Sequence, residues 1–226
     1  MNASALPLLS PVETRVLGVL VEKQLTTPDY YPLTLNAILA GCNQKTSRSP
    51  VMNATDDELQ IALDSLKHLN LAIESYGASG RVLRFAHNVP KVLTLGQAMT
   101  ALLAVLMLRG PLTAGELRLA CDRLYKFADI SSVEGYLEDM ATRSAGVLVV
   151  KLAKQPGSRE ARWAHLLGGP VAGDTAPATD ASDNNAGVSS GELATLKANV
   201  AQMRDEITEL RALVDQLYRE LGVKRD

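Results

Sequence analysis

Few residues in this 226-residue chain are arranged to do covalent chemistry. The three histidines, His68, His87 and His165, have neither metal-ligand spacing nor a neighbouring His-Glu-x-x-His pattern. No P-loop, dinucleotide fingerprint or Gly-x-Ser-x-Gly elbow occurs. Cys42 and Cys121 are too few for a disulfide framework or a zinc pattern, and they read as small buried thiols in a reducing, cytoplasmic setting. No enzyme, metal or cofactor is expected. What remains is cationic chemistry suited to phosphate. Lys45 and Arg48 lie in the polar loop Asn43-Gln44-Lys45-Thr46-Ser47-Arg48-Ser49-Pro50, and Lys67 lies on the helix that follows. Arg81 and Arg84 lie on the return strand after the turn Gly77-Ala78-Ser79-Gly80, while Lys151, Lys154, Arg159 and Arg162 surround Gln155-Pro156-Gly157-Ser158.

The elements that carry these side chains occur twice in one order. Residues from about Leu8 to Asn88 and from about Leu93 to Leu167 each offer an apolar helix, a short second helix, a capped third helix and two β-rich runs around a Gly-containing turn. In the first copy these are Pro11–Leu25, Leu33–Cys42, Thr55–Asn70, Leu71–Tyr76 and Arg81–Ala86. In the second they are Leu95–Arg109, Ala114–Tyr125, Ser131–Arg143, Val147–Ala153 and Ala161–Leu166. Ser10-Pro11-x-Glu13 and Thr55-x-x-Glu58 are capping boxes, as are Thr113-x-x-Glu116 and Ser131-x-x-Glu134. On the first helix Val12, Val16, Leu17 and Leu20 give a buried stripe, with Glu13, Arg15, Glu22 and Lys23 expected in water. Met99–Leu108 is apolar but too short to span a bilayer, so it reads as a buried helix.

Three helices followed by a hairpin is the layout of a winged helix. The fold class expected is therefore mainly α with small β-hairpins, as tandem winged-helix domains at 8–90 and 91–169. Residues 170–191 have a linker composition, and 192–222 follow a strict heptad pattern. Its seam, Leu193, Leu196, Val200, Met203, Ile207, Leu210, Val214, Leu217 and Leu221, alternates spacings of 3 and 4. β-branched residues in the middle of the a positions and mostly Leu at d favour a parallel dimer.

The run Thr26-Thr27-Pro28-Asp29-Tyr30-Tyr31-Pro32-Leu33-Thr34-Leu35-Asn36, with Gly41-Cys42-Asn43-Gln44-Lys45 and Arg48-x-Pro50-Val51, resembles the YceH family of bacterial proteins. The resemblance implies a tandem winged-helix fold with a C-terminal coiled segment and makes the 43–51 loop a family hallmark. It implies no activity.

Two functions are open at this point. One is a dimeric, regulator-like protein contacting double-stranded DNA through the loop and wings. The other is a protein-interaction or scaffold module that never touches DNA. Charge cuts both ways. Residues 91–169 carry 10 Lys/Arg against 7 Asp/Glu, a net of +3, whereas 1–90 carry 7 against 8, a net of −1. Asp56, Asp57 and Glu58, and in the second copy Glu134, Glu138 and Asp139, put acids on the third helices, where they repel phosphate. No membrane partner is expected.

Overall fold

The structure is a computed structural model that describes residues 8–76, 82–154 and 158–171. Its element order repeats: α1 (Pro11–Thr26), α2 (Leu35–Cys42), α3 (Asp56–His68), β1 (Ala72–Tyr76) and β2 (Leu83–His87), then a short α4 (Val89–Val92), then α5 (Gln97–Arg109), α6 (Ala114–Ala120), α7 (Ile130–Ala141), β3 (Val149–Lys151) and β4 (Trp163–His165). A single 3-10 turn at Pro28–Tyr30 follows α1. Each copy is thus mainly helical with one small antiparallel hairpin. The expected linker lies outside the described residues from 172 onward, as does the coiled-coil segment with its nine seam residues.

Local chemistry explains most boundaries. Ser10 accepts from the Glu13 amide while the Glu13 carboxylate accepts from the Ser10 amide, and Pro11 opens the helix. Thr55 with Glu58 and Thr113 with Glu116 make the same reciprocal cap on α3 and α6. The fourth box differs from expectation. Asp129 caps α7 by accepting from the Ser132 amide, ahead of the Ser131 cap read from sequence. Asp129 is as good an N-cap as serine, and starting earlier buries Val133, Leu137 and Met140 on one face.

The second helix of the first copy also starts later than its apolar pattern suggests. Leu33 is not helical. It exchanges backbone hydrogen bonds with Phe85 (3.0 and 2.7 Å), adding a one-residue third strand to the hairpin. Thr34 then caps α2 by accepting from Ala37. Leu112 does the same with Trp163 in the second copy (3.1 and 2.8 Å), so both sheets carry this short edge between their first and second helices. The hairpins correspond in register: Ala72 faces His87 and Val149 faces His165.

A single hydrophobic cluster includes residues of both copies. All described residues fall in one compact unit. The reason is the pair α1 and α5, the first helix of each copy, which pack against each other. Thr14 through Val21 are all buried on α1, and Thr100 through Leu108 on α5. A helix apolar on every side must be covered on every side, and each of these supplies the other's second wall. Gly18 permits the approach: a Cβ there would stand 2.9 Å from Leu108 Cγ. Backbone ties reinforce the seam, with Ser49 donating to the Leu108 carbonyl (2.8 Å) and Leu9 to that of Leu167 (2.7 Å).

Candidate nucleic-acid interface

The polar loop after α2 is the first place to look for a phosphate contact, and it is built differently from what its composition implies. Asn43 clamps its far end, donating to the Ala54 carbonyl (2.9 Å) and accepting from the Ala54 amide (2.8 Å). Arg48 is its internal post. The guanidinium donates to the Gly41 carbonyl through Nε (3.0 Å), to both Glu22 oxygens (3.1 and 2.6 Å), to Ser47 and to Gln44. Its side chain has no solvent exposure. Arg48 is therefore corrected from a DNA-contact candidate to a buried organiser, because every N–H it could offer is already used. Arg15, expected in water, is likewise buried: Nη1 donates to Cys42 O (3.2 Å) and Nη2 to Pro50 O (2.7 Å). Lys45 alone of the loop's cations is exposed, with no ion pair among the described residues.

The other candidates of the first copy are also engaged. Lys67 sits between Asp64 (2.7 Å) and Glu74, and these hydrogen bonds, Asp64's first, raise its pKa. The same bond, with one from Gln60, lowers that of Asp64. Arg84 donates to the Pro32 carbonyl (2.8 Å). Arg81 lies outside the described residues. The outer face of α3 is left with exposed Asp57, Glu58 and a 70% exposed Ile61.

In the second copy the cations converge. Lys151, Lys154 and Arg159 line one shallow cleft of about 220 Å³ with Glu134, Glu160 and Trp163. Lys151 Nζ lies 5.3 Å from the Trp163 ring centroid, a cation–π contact that fixes the ammonium, and only 3.9 Å from Glu138. Lys154 and Arg159 are exposed and have no ion pair among the described residues. Arg162 stands apart from the cleft, 3.8 Å from Glu116 and donating to Pro111 O. Trp163, the floor of this cluster, is not among the residues that charge and spacing single out. Its alternation with Ala161 and His165 on an aromatic-poor strand is the signal that could have found it.

His87 and His165 occupy matching hairpin positions and are kept neutral. Burial pushes each down to about 4. His87 Nδ1 accepts from the Val89 amide (3.3 Å), so Nε2 carries the proton toward Gln24 Oε1 (2.5 Å). Cys42 and Cys121 are buried, and desolvation pushes both thiols up to about 12, far from a nucleophile's range. Among the described residues, no group of three or more His, Cys, Asp or Glu could hold a metal ion, and no helix is long and apolar enough to cross a membrane.

Comparison with known proteins places the chain in company. Residues 9–158 match a family model described as "Protein of unknown function, DUF480". A UPF0502 protein of Burkholderia multivorans is 54% identical over 222 residues, spanning 98% of this chain and 93% of that protein. One from Burkholderia cenocepacia is 52% identical over the same length and coverage, and one from Burkholderia pseudomallei is 53% identical over 219 residues, 97% of this chain and 92% of its own.

Proposed function

The chain belongs to the DUF480 family, the YceH-type UPF0502 proteins, and we propose that it is a non-enzymatic winged-helix protein that binds duplex DNA through its second hairpin. The observation that carries this is the cleft where Lys151, Lys154 and Arg159 meet beside Trp163. Three helices, a one-residue strand after the first of them and a closing hairpin recur in both copies, and this order supports the winged-helix reading. Phosphate contacts of this kind position a protein on DNA without reading sequence. Among the described candidates of the first copy, Lys45 is the cation available to join them. The α3 helix, with its acids and its spent Lys67, is a poor groove reader.

The test is a salt titration of duplex binding by the full chain, against Lys154→Glu with Arg159→Glu. Affinity should fall steeply with salt, and the double variant should flatten the slope by about 2, one unit for each phosphate that is no longer neutralised. No detectable binding at about 50 mM salt would overturn the proposal, since non-specific association is strongest there. A second reading, a protein-interaction module, has its own observation. Ile61 stands 70% exposed on α3 among Asp57, Glu58 and Asp64, a face suited to an apolar-basic peptide. On that reading the full chain shows no duplex binding at low salt, and Ile61→Glu abolishes partner binding. A C-terminal coiled-coil homodimer would double either surface.

A further inference from the structure

A cavity of about 250 Å³ at the seam between the copies gathers cations from three elements: Lys23 in the last turn of α1, Arg109 at the end of α5 and Arg123 just beyond α6. Among the described residues, Glu22 is the one carboxylate in its wall. That carboxylate is already engaged. Both its oxygens accept from Arg48 (3.1 and 2.6 Å), and Lys23 Nζ stands 3.8 Å away. Arg109 donates to a neutral partner, Ser47 Oγ (2.9 Å), and Arg123 is exposed with no ion pair among the described residues. A cation in a last turn also answers the helix dipole, but that amounts to only about half a charge per helix. Three whole charges exceed it, and they suit an anion that carries more than one.

Hydrogen bonding divides the rest of the wall into donors and acceptors. Gln44 turns its carbonyl oxygen to Arg48 (2.7 Å), which leaves its NH2 to donate, and Ser47 accepts from Arg109, which leaves its O–H to donate. Thr26 and Thr27 are the opposite. Their hydroxyls donate to the carbonyls of Glu22 (2.8 Å) and Lys23 (3.1 Å), so toward the cavity they only accept. We propose that this cavity binds the phosphate monoester of a small polyol or sugar. Its phosphate, with about two negative charges at neutral pH, meets Lys23, Arg109 and Arg123, whose guanidinium forks match paired phosphate oxygens. Its hydroxyls donate to Thr26 and Thr27, and its C–H faces lie on Leu108 and Leu124. The volume is under the about 300 Å³ at which ligand pockets usually begin, which keeps the body small. Because the wall combines α1, the 44–47 loop, α5 and the end of α6, such a ligand would bridge both copies. None of these residues belongs to the cleft of the second hairpin, so the site is separate from the duplex contact proposed above.

The experiment is a titration of the full chain, followed by calorimetry and thermal shift, with glycerol 3-phosphate, ribose 5-phosphate and glucose 6-phosphate. Inorganic phosphate and glycerol serve as controls. At least one ester should raise Tm and bind more tightly than inorganic phosphate, and glycerol should do neither. Arg123→Ala, at an exposed position, should keep the unliganded Tm while ester affinity falls about tenfold. Thr26→Val should weaken the ester about fivefold and leave inorganic phosphate unchanged, since it removes an acceptor for a ligand hydroxyl. Lys154→Glu with Arg159→Glu should leave ester affinity as it is. No heat and no Tm shift with any ester would overturn the proposal. So would esters that bind no better than inorganic phosphate, or an Arg123→Ala variant with unaltered ester affinity. An Arg123→Ala variant that loses duplex affinity as steeply as ester affinity would also overturn it, by making the cavity a contact for the DNA backbone.

Discussion

At the level of single residues, the first copy commits Arg15, Arg48, Lys67 and Arg84 to internal contacts. Arg48 and Glu22 form a forked, solvent-shielded pair at 2.6 and 3.1 Å, and deleting one partner strands the other. Arg48→Met should therefore cost about 3 kcal/mol in urea unfolding, the low end for a broken buried pair. Arg48→Lys should recover less than half of that, because an ammonium cannot serve Gly41, Gln44 and both Glu22 oxygens at once. The two hairpin histidines predict a pH dependence. Each is held near 4 in the folded protein against an ordinary value near 6.5, so between those limits the unfolded chain binds more protons. Their contribution is complete above about pH 7, shrinks as pH falls through 6.5, and is gone below about 4. Thermal melts from about pH 7.5 to 4 should show Tm declining, and a His87→Gln, His165→Gln variant should decline less over the same window. An equal decline in both proteins would place the effect on other groups.

At the level of elements, close helix approach depends on two glycines that can be tested. A Cβ at Gly41 would fall 2.6 Å from Val19 Cγ1, where α2 meets α1. Gly41→Ala should destabilise by about 1–3 kcal/mol through overpacking, and adding Val19→Ala should restore part of it, a coupling visible in a double-mutant cycle. Much of this architecture is legible in the sequence. The caps at Ser10, Thr55 and Thr113, the burial of Met99–Leu108 and the placement of both hairpins follow from local rules of hydrogen bonding and period. What local rules do not reach is tertiary satisfaction. Arg15 and Arg48 look solvent-bound until the carbonyls of Cys42, Pro50 and Gly41 and the carboxylate of Glu22 are brought to them. A one-residue strand such as Leu33 or Leu112 has no periodicity to detect. Asp129 and Ser131 are rival caps on one short stretch, and only the packing of Val133 and Leu137 chooses between them. Charge alone treats all the phosphate candidates alike; their neighbours, not their spacing, separate Lys154 and Arg159 from Lys67 and Arg84.

At the level of the whole molecule, the continuous core predicts that both copies unfold together. Urea melts followed by tyrosine fluorescence and by Trp163 fluorescence should coincide, since Trp163 reports only on the second copy. A fragment of residues 8–90 should fail to give a cooperative transition, because it lays bare the side of α1 that α5 covers. The seam has one more consequence. Helices of equal rank in two copies of one motif meet there, so like packs on like within a single polypeptide, as matching surfaces do where identical subunits pair. Two separate, identical subunits must change in step. Halves that are covalently joined are released from that symmetry, so the first can commit Arg15 and Arg48 to internal scaffolding while the second leaves Lys154 and Arg159 exposed.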